Sequence, residues 1–433
     1  MPPTTSESSS GQTLIRAIGR WSLVALTVNS ILGSGIFGLP SLVANLLGRL
    51  SPWAVLLAGV AIAVIVACYG EVASQFTETG GTYIYCRAAF GRLTGLEVGW
   101  MLMLSRLTAC AANANLLVIY LGEFWPQVSR PAPRFAVITL LLGILLLVNY
   151  RGVRTGTLVS NLFVVAKLLP LAIICLAGGY YLVVHGSVAV PSPAATLGKW
   201  RDVMLLLFFA YGGYEAAMNP LGEARNPKRD APFALFAALA IITVIYVLIQ
   251  WAVVGLLPAS LRTDRPLAEV ARVLLGHGGA ALVAVGALVS VYGYLGANFL
   301  TGPRATFAFA EQGDFPRCFA AVHRDFRTPH VSIMVFALVC WLLALAGSFT
   351  WNVTLSAVAR LFYYSAVCAA VPVLRRKQPD AAWFRLPAGN VFASTGVLIC
   401  VALLTGVDFS KTVILLATIV IAFLNWLAVR NPS

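Results

Sequence analysis

Apolar and polar positions in this chain fall into long blocks, not into short alternation. Runs of about 20 apolar residues, enough for a helix to cross a bilayer, recur twelve times. They lie near 20–41, 51–74, 95–122, 134–150, 157–184, 201–222, 232–256, 279–308, 331–348, 351–373, 391–407 and 411–429. Two gaps, Gly347 to Trp351 and Asp408 to Lys411, leave room only for tight turns between antiparallel helices. The pattern predicts an all-α integral membrane protein of 12 transmembrane helices. Met1 to Ile18 is polar, with Ser6, Ser8, Ser9 and Ser10, and the apolar run after it has no small-residue cleavage site. That reads as a disordered cytoplasmic tail over 1–18, not as a signal peptide.

Composition agrees with this reading. Hydrophobic residues make up 59% of the 433 and charged residues 11%, against about 25% charged in a soluble domain. The net charge is +14, but its carriers sit in the short gaps and no nucleic-acid motif accompanies them, so no nucleic-acid partner is expected. With the N-terminus placed in the cytoplasm, 18 Lys and Arg fall in cytoplasmic segments and 9 in outer ones. The excess predicts that both termini are cytoplasmic. The eight cysteines lie mostly within apolar runs, with no C-x-x-C pair. Neither a disulfide framework nor a metal site is expected, and no cofactor.

Two segments carry residues that disfavour a continuous helix. The first reads Val28-Asn29-Ser30-Ile31-Leu32-Gly33-Ser34-Gly35-Ile36-Phe37-Gly38-Leu39-Pro40, and the sixth Phe208-Phe209-Ala210-Tyr211-Gly212-Gly213-Tyr214-Glu215. Each glycine costs a helix about 1 kcal/mol relative to alanine. Small residues also line close helix contacts in membranes, so packing alone is one explanation. The other is that both helices unwind, which at the first and sixth positions points to an inverted-repeat transporter. An unwound turn offers N–H groups to a carboxylate and carbonyls to an ammonium, so a zwitterion such as an amino acid satisfies both sets.

Ionisable groups deep in a membrane point to function. The chain has Arg106, Lys167, Glu215 and Arg360 at such depths, and Glu71 nearer a helix end. Glu215 reads either as a structural tie or as a titrating group. One of Arg106 and Arg360 either pairs with it or adds positive charge near the pocket that disfavours cationic substrates. Ser290, Tyr292, Tyr294 and Asn298 make the eighth segment polar; they either flank Lys167 or bond between helices. No histidine falls within a predicted helix, which argues against a histidine relay. The stretch from Glu78 to Arg92, with Tyr83, Tyr85, Arg87 and Phe90, predicts a short interfacial helix on the cytoplasmic side, a surface anchor in the first reading and a gate in the second.

Gly33-Ser34-Gly35-Ile36-Phe37 resembles the GSGIF signature of the amino acid–polyamine–organocation (APC) superfamily of permeases. Tyr69-Gly70-Glu71, Gly80-Gly81-Thr82-Tyr83-Ile84-Tyr85, Ala89-Phe90-Gly91 and Asn149-Tyr150-Arg151-Gly152-Val153 are similar to stretches of the same family. So are Glu223-Ala224-Arg225-Asn226-Pro227-Lys228-Arg229, Gly313-Asp314-Phe315-Pro316 and Thr328-Pro329. The resemblance spans the first ten segments. It implies a leucine-transporter-like 5+5 inverted repeat with helices 1 and 6 broken, plus two extra C-terminal helices. Residues 19–373 would form the transporter core, and 374–433 a cytoplasmic loop, helices 11–12 and a short tail.

The resemblance also implies roles. Ser34, Gly35 and Ile36 would bind the substrate carboxylate, and the carbonyls of Ile31, Phe209 and Gly212 the amino group. Phe209 would be the aromatic gate, although tryptophan is common there, and Tyr211 with Gly212 would shape the side-chain pocket. Lys167, in Val164-Val165-Ala166-Lys167-Leu168-Leu169-Pro170, resembles the helix 5 lysine whose ammonium replaces sodium in proton-coupled or uncoupled members. It would carry a proton, or only brace helix 1. The function implied is secondary transport of amino acids in the cell membrane: proton-coupled uptake of neutral L-amino acids, or exchange with Lys167 only structural. A transporter-like sensor is a third possibility, but sensors usually carry an added soluble domain. A membrane enzyme would need a His, Asp, Glu or Cys cluster at one depth, and an ATP-driven pump a P-loop; neither is present. The chain fixes no oligomeric state.

Overall fold

A computed structural model of the protein describes residues 18–77, 80–152, 157–187, 194–258 and 263–430. The predicted tail, apart from Ile18, and Arg154 and Arg262 lie outside them. Sixteen α-helices make up the described chain: α1 (Arg20–Ile31), α2 (Ser34–Gly38), α3 (Pro40–Leu47), α4 (Ser51–Ala73), α5 (Thr82–Phe90), α6 (Arg92–Leu121), α7 (Pro131–Arg151), α8 (Thr157–His185), α9 (Leu197–Tyr211), α10 (Tyr214–Ala217), α11 (Pro227–Leu256), α12 (Pro266–Glu311), α13 (His330–Ala346), α14 (Phe349–Lys377), α15 (Gly389–Leu404) and α16 (Phe409–Arg430). Among the described residues there is no strand, only an isolated bridge between Ile18 and Ala224.

Among the described residues, eight helical stretches are long and apolar enough to cross a membrane, and α13 and α15 are shorter apolar helices. The protein is therefore an all-helical, multi-pass membrane protein. Every apolar run read from the sequence is helical, but the first and sixth are divided into α1–α2–α3 and α9–α10. Helix starts follow local chemistry. Proline stands in the first turn of α4, α7, α11 and α12, where its missing N–H costs no hydrogen bond. Ser348 caps α14 by accepting from the Trp351 amide at 3.2 Å. α12 is two helical stretches that meet at a kink at Gly276 (φ 71°), and the eighth run is the second of them.

The centre of the bundle is α6 against α14, with α4, α9 and α11 around them. The apolar windows of α6 and α14 are 72% and 67% buried, against 17% for α7 and α16. Apolar surface that is exposed on peripheral helices suits lipid, whose chains are as apolar as leucine.

Ion pairs at the end where α1 begins have buried carboxylates. Arg20 Nε donates to Asp230 Oδ1 at 3.2 Å. Glu71, fully buried on α4, accepts from Arg375 Nε at 2.6 Å, Arg375 Nη2 at 2.7 Å and the Leu386 amide at 2.8 Å. Asp314, also buried, accepts from the Tyr83 hydroxyl, from Arg87 Nη1 at 2.8 Å and from Arg92 Nε at 2.7 Å. These contacts correct the surface-anchor expectation for Glu78–Arg92. The short helix α5 exists, but Tyr83, Tyr85 and Cys86 are buried in protein, with Tyr83 packed on Phe309 and Tyr85 on Phe76.

Candidate substrate site

The first break is short. α1 ends at Ile31, Leu32 takes ψ 84°, Gly33 takes φ −117° and ψ −150°, and α2 starts at Ser34. In the second, α9 ends at Tyr211, Gly212 is extended, and Gly213 takes φ 117° and ψ −18° before α10. A backbone of that kind is open to glycine and strained for other residues. The helices do unwind, so packing alone does not account for the glycines, but the packing is also close. A Cβ on Gly213 would lie 2.4 Å from the Ser30 carbonyl oxygen, and one on Gly35 2.8 Å from the Ala210 Cα. The two breaks are in contact.

A single hydroxyl spans them. Tyr246 Oη, on α11, stands 2.9 Å from the Ala210 carbonyl and 3.4 Å from that of Ile31. It has one proton and two acceptors, one from each broken helix. Asn113, on α6, donates to Ser34 Oγ at 3.0 Å. Gly35, Ile36, Leu207, Ala210, Tyr246 and Gln250 border a cavity of about 10 Å³, roughly the room for one water. The breaks are thus closed on one another.

Of the residues read from the sequence, Ile31, Ser34, Gly35, Ile36, Phe209 and Gly212 all lie at or beside the breaks. The Phe209 carbonyl accepts the Gly212 amide at 3.1 Å, which occupies one of its lone pairs. The Tyr211 hydroxyl donates to the Val55 carbonyl of α4 at 3.0 Å, which anchors the second break to α4.

Glu215 is the centre of a buried polar cluster. It accepts from the Gly213 amide at 2.9 Å, Tyr363 Oη at 2.8 Å and Tyr364 Oη at 3.2 Å. Arg360 Nη1 stands 3.7 Å from Glu215 Oε1. The ion pair therefore belongs to Arg360; among the described residues Arg106, half-buried on α6, makes none. Arg360 Nε donates to Ser105 Oγ at 3.2 Å, and its Cζ lies 5.3 Å from the Phe209 ring centroid.

Lys167 Nζ donates to the Asn29 carbonyl at 3.1 Å and to Asn29 Oδ1 at 3.0 Å, one turn before the first break. Its described bonds do not run to Ser290, Tyr292, Tyr294 or Asn298. Asn298 bonds the Tyr294 carbonyl of its own helix, while the Tyr294 ring faces Gly33, 3.7 Å from where a Cβ would stand. The sequence reading missed Asn29, Asn113, Ser105, Tyr246 and the Tyr363-Tyr364 pair. The tyrosine pair had a signal, three and four residues beyond Arg360 and so on its face. Tyr246 had only its isolation in an apolar run.

The motif stretches and the paired breaks are one signature, and a family model supports it: the amino acid permease model matches residues 18–426. The chain belongs to the amino acid permease family. The permease is 28% identical to the methylthioribose transporter of Bacillus subtilis, over 92% of this chain and 89% of that one. It is 27% identical to the serine/threonine exchanger SteT of the same organism, over 84% of each. It is 24% identical to the branched-chain amino acid permease BcaP, also of that organism, over 98% and 93%. The APC resemblance thus holds over nearly the whole permease, and the family's activity is transport, not catalysis.

Proposed function

We propose that the permease is a secondary active transporter that moves amino acids by alternating access, in proton-coupled uptake of neutral L-amino acids. The arrangement we infer has twelve transmembrane helices. Residues 19–373 form the core of two inverted five-helix repeats, and 374–433 add two helices. Both termini lie in the cytoplasm, and the chain resides in the cell membrane. The observation that carries this reading is the meeting of the two breaks, joined through Tyr246.

In this reading the amides of Ser34, Gly35 and Ile36, at the positive end of α2, receive the substrate carboxylate. The carbonyls of Ile31, Phe209 and Gly212 receive the ammonium, whose three donors replace the single proton of Tyr246. Binding then parts the breaks, and Phe209 closes over the ligand. Tyr211 holds the second break to α4 while this happens. Lys167 transmits protonation to α1 through Asn29, and Glu215 holds the second break through the Gly213 amide.

The second reading is amino-acid exchange with Lys167 as a brace. The double tie of Lys167 to Asn29 favours it, because a fixed cation between carbonyl oxygens suffices to hold α1. Purified protein in proteoliposomes separates the two. Uptake of a labelled neutral amino acid driven by an inward proton gradient alone supports symport. Uptake that requires amino acid preloaded inside supports exchange. No uptake of any amino acid in either format refutes both.

A further inference from the structure

Arg360 is charge-compensated but not fully hydrogen-bonded. Its side chain is only 6% exposed and Glu215 stands 3.7 Å away, so the pair carries no net charge. Yet 3.7 Å is beyond hydrogen-bond reach. Nε has Ser105 as its acceptor, whereas Nη1 is buried without one. Glu215 cannot easily supply it, because the Gly213 amide and two tyrosine hydroxyls already hold that carboxylate in place. A buried donor left unpaired is costly, and native structures that keep one often do so at a functional site.

The position of that donor is unusual too. A Cβ on Gly212 would fall 1.4 Å from Nη1 and 2.5 Å from Cζ. The guanidinium is thus pressed onto the backbone of the second break, and only glycine at 212 admits it. Its Cζ also lies 5.3 Å from the centroid of the Phe209 ring. The unpaired N–H thus belongs to a guanidinium that adjoins both the break that would cradle the substrate and the aromatic residue that would close over it.

We propose that Arg360 selects the substrate's side chain by donating Nη1–H to a neutral acceptor, a hydroxyl or amide oxygen. This rests on the transport reading above and narrows its substrate class to polar uncharged amino acids. The charge balance decides the class. Because Glu215 already neutralises Arg360, the site lacks an acceptor and not an anion. A substrate carboxylate would bring a charge that Glu215 opposes at close range. A cationic side chain meets a guanidinium that has donors only, with Arg106 on the neighbouring α6 adding to the repulsion. An apolar side chain of the same shape leaves Nη1 unpaired, which is how a polar site rejects an isostere.

Threonine and valine are near-isosteric and differ in the acceptor. In solute counterflow, which needs no driving gradient, the full-length protein in proteoliposomes is expected to favour L-threonine over L-valine by roughly tenfold or more in kcat/KM. That is the discrimination a hydrogen bond from a charged donor gives. L-Lysine and L-glutamate are expected to compete weakly. Two variants address the donor separately: Arg360→Met with Glu215→Gln removes it without leaving a lone charge, and Gly212→Ala displaces it while keeping both charges. Each is expected to reduce the threonine-to-valine ratio to within about threefold of one. Size-exclusion profiles identify any variant that fails to fold, and the wild-type ratio tests the idea without them. Equal handling of the two by the wild type, a ratio unchanged in a folded variant, or preference for glutamate over threonine overturns the proposal while leaving amino-acid transport intact. Failure to exchange threonine overturns the proposal, and failure to exchange any amino acid overturns the transport reading itself.

Discussion

Gly213→Ala tests whether contact between the two breaks matters for transport. The new Cβ would stand 2.4 Å from the Ser30 carbonyl oxygen, about 1 Å closer than a relaxed C···O contact. The obstacle is backbone of the other broken helix, so no side-chain rotation relieves it. Alanine must also hold φ 117°, which costs about 1–3 kcal/mol, and the overpacking adds about 1–3 kcal/mol. Together these give about 2–6 kcal/mol against the closed arrangement. Even 2 kcal/mol corresponds to roughly a 30-fold change in an equilibrium constant. The expected outcome is protein that elutes as the wild type does but turns over labelled substrate at least about 30-fold more slowly in kcat, because the emptied carrier must return through the closed arrangement. Gly143→Ala, on α7 with nothing within 4 Å of its Cβ, is the control and should leave uptake unchanged. If Gly213→Ala transports within about threefold of wild type, contact between the breaks is incidental and the argument from their meeting fails.

Three further outcomes follow from the same geometry. Tyr246→Phe removes the hydroxyl shared by Ile31 and Ala210; ligand-free thermal stability should fall by about 1 kcal/mol while substrate affinity rises, and an unchanged or lower affinity in direct binding contradicts the displacement of that hydroxyl by the substrate. Lys167→Ala should abolish gradient-driven uptake but spare counterflow, and full proton-driven uptake in that variant eliminates the coupling role. Arg375→Ala leaves the fully buried Glu71 carboxylate without its cation, a loss of about 3–5 kcal/mol. Arg375→Met combined with Glu71→Gln should recover more than half of that loss in thermal unfolding, and no recovery would mean the pair acts through shape and not charge.

Much of the architecture was legible because membrane burial writes itself into composition over 20-residue stretches. The breaks were legible because Gly33 and the Gly212-Gly213 pair are exceptions within such stretches. What could not be read was direction. The Tyr211 hydroxyl turns to Val55 although its neighbour Gly212 faces Arg360, and sequence position does not fix which way a side chain leaves an unwinding turn. The choice between Arg106 and Arg360 as partner of Glu215 depended on how α6 and α14 sit against α10, which no local pattern encodes. Likewise, α5 reads as an interfacial helix by its own residues. Distant partners turn it into a packed element: α14, Phe309 against Tyr83 and Asp314, separated from Arg92 by 222 positions.

A small feature at the end where α1 begins constrains how such a protein can rearrange. Ile18 donates its amide to the Glu223 carbonyl at 3.0 Å and accepts from the Arg225 amide at 2.9 Å, and Arg20 holds Asp230 in the first turn of α11. The chain entering the first broken helix and the chain leaving the sixth are therefore stapled together. Neither half-helix can swing alone without tearing two main-chain bonds and a partly buried ion pair. Opening on this side should proceed as one paired lever, with the hinge at the glycines and the fulcrum at Ile18, so that a cross-link there slows release less than one joining either arm to α6.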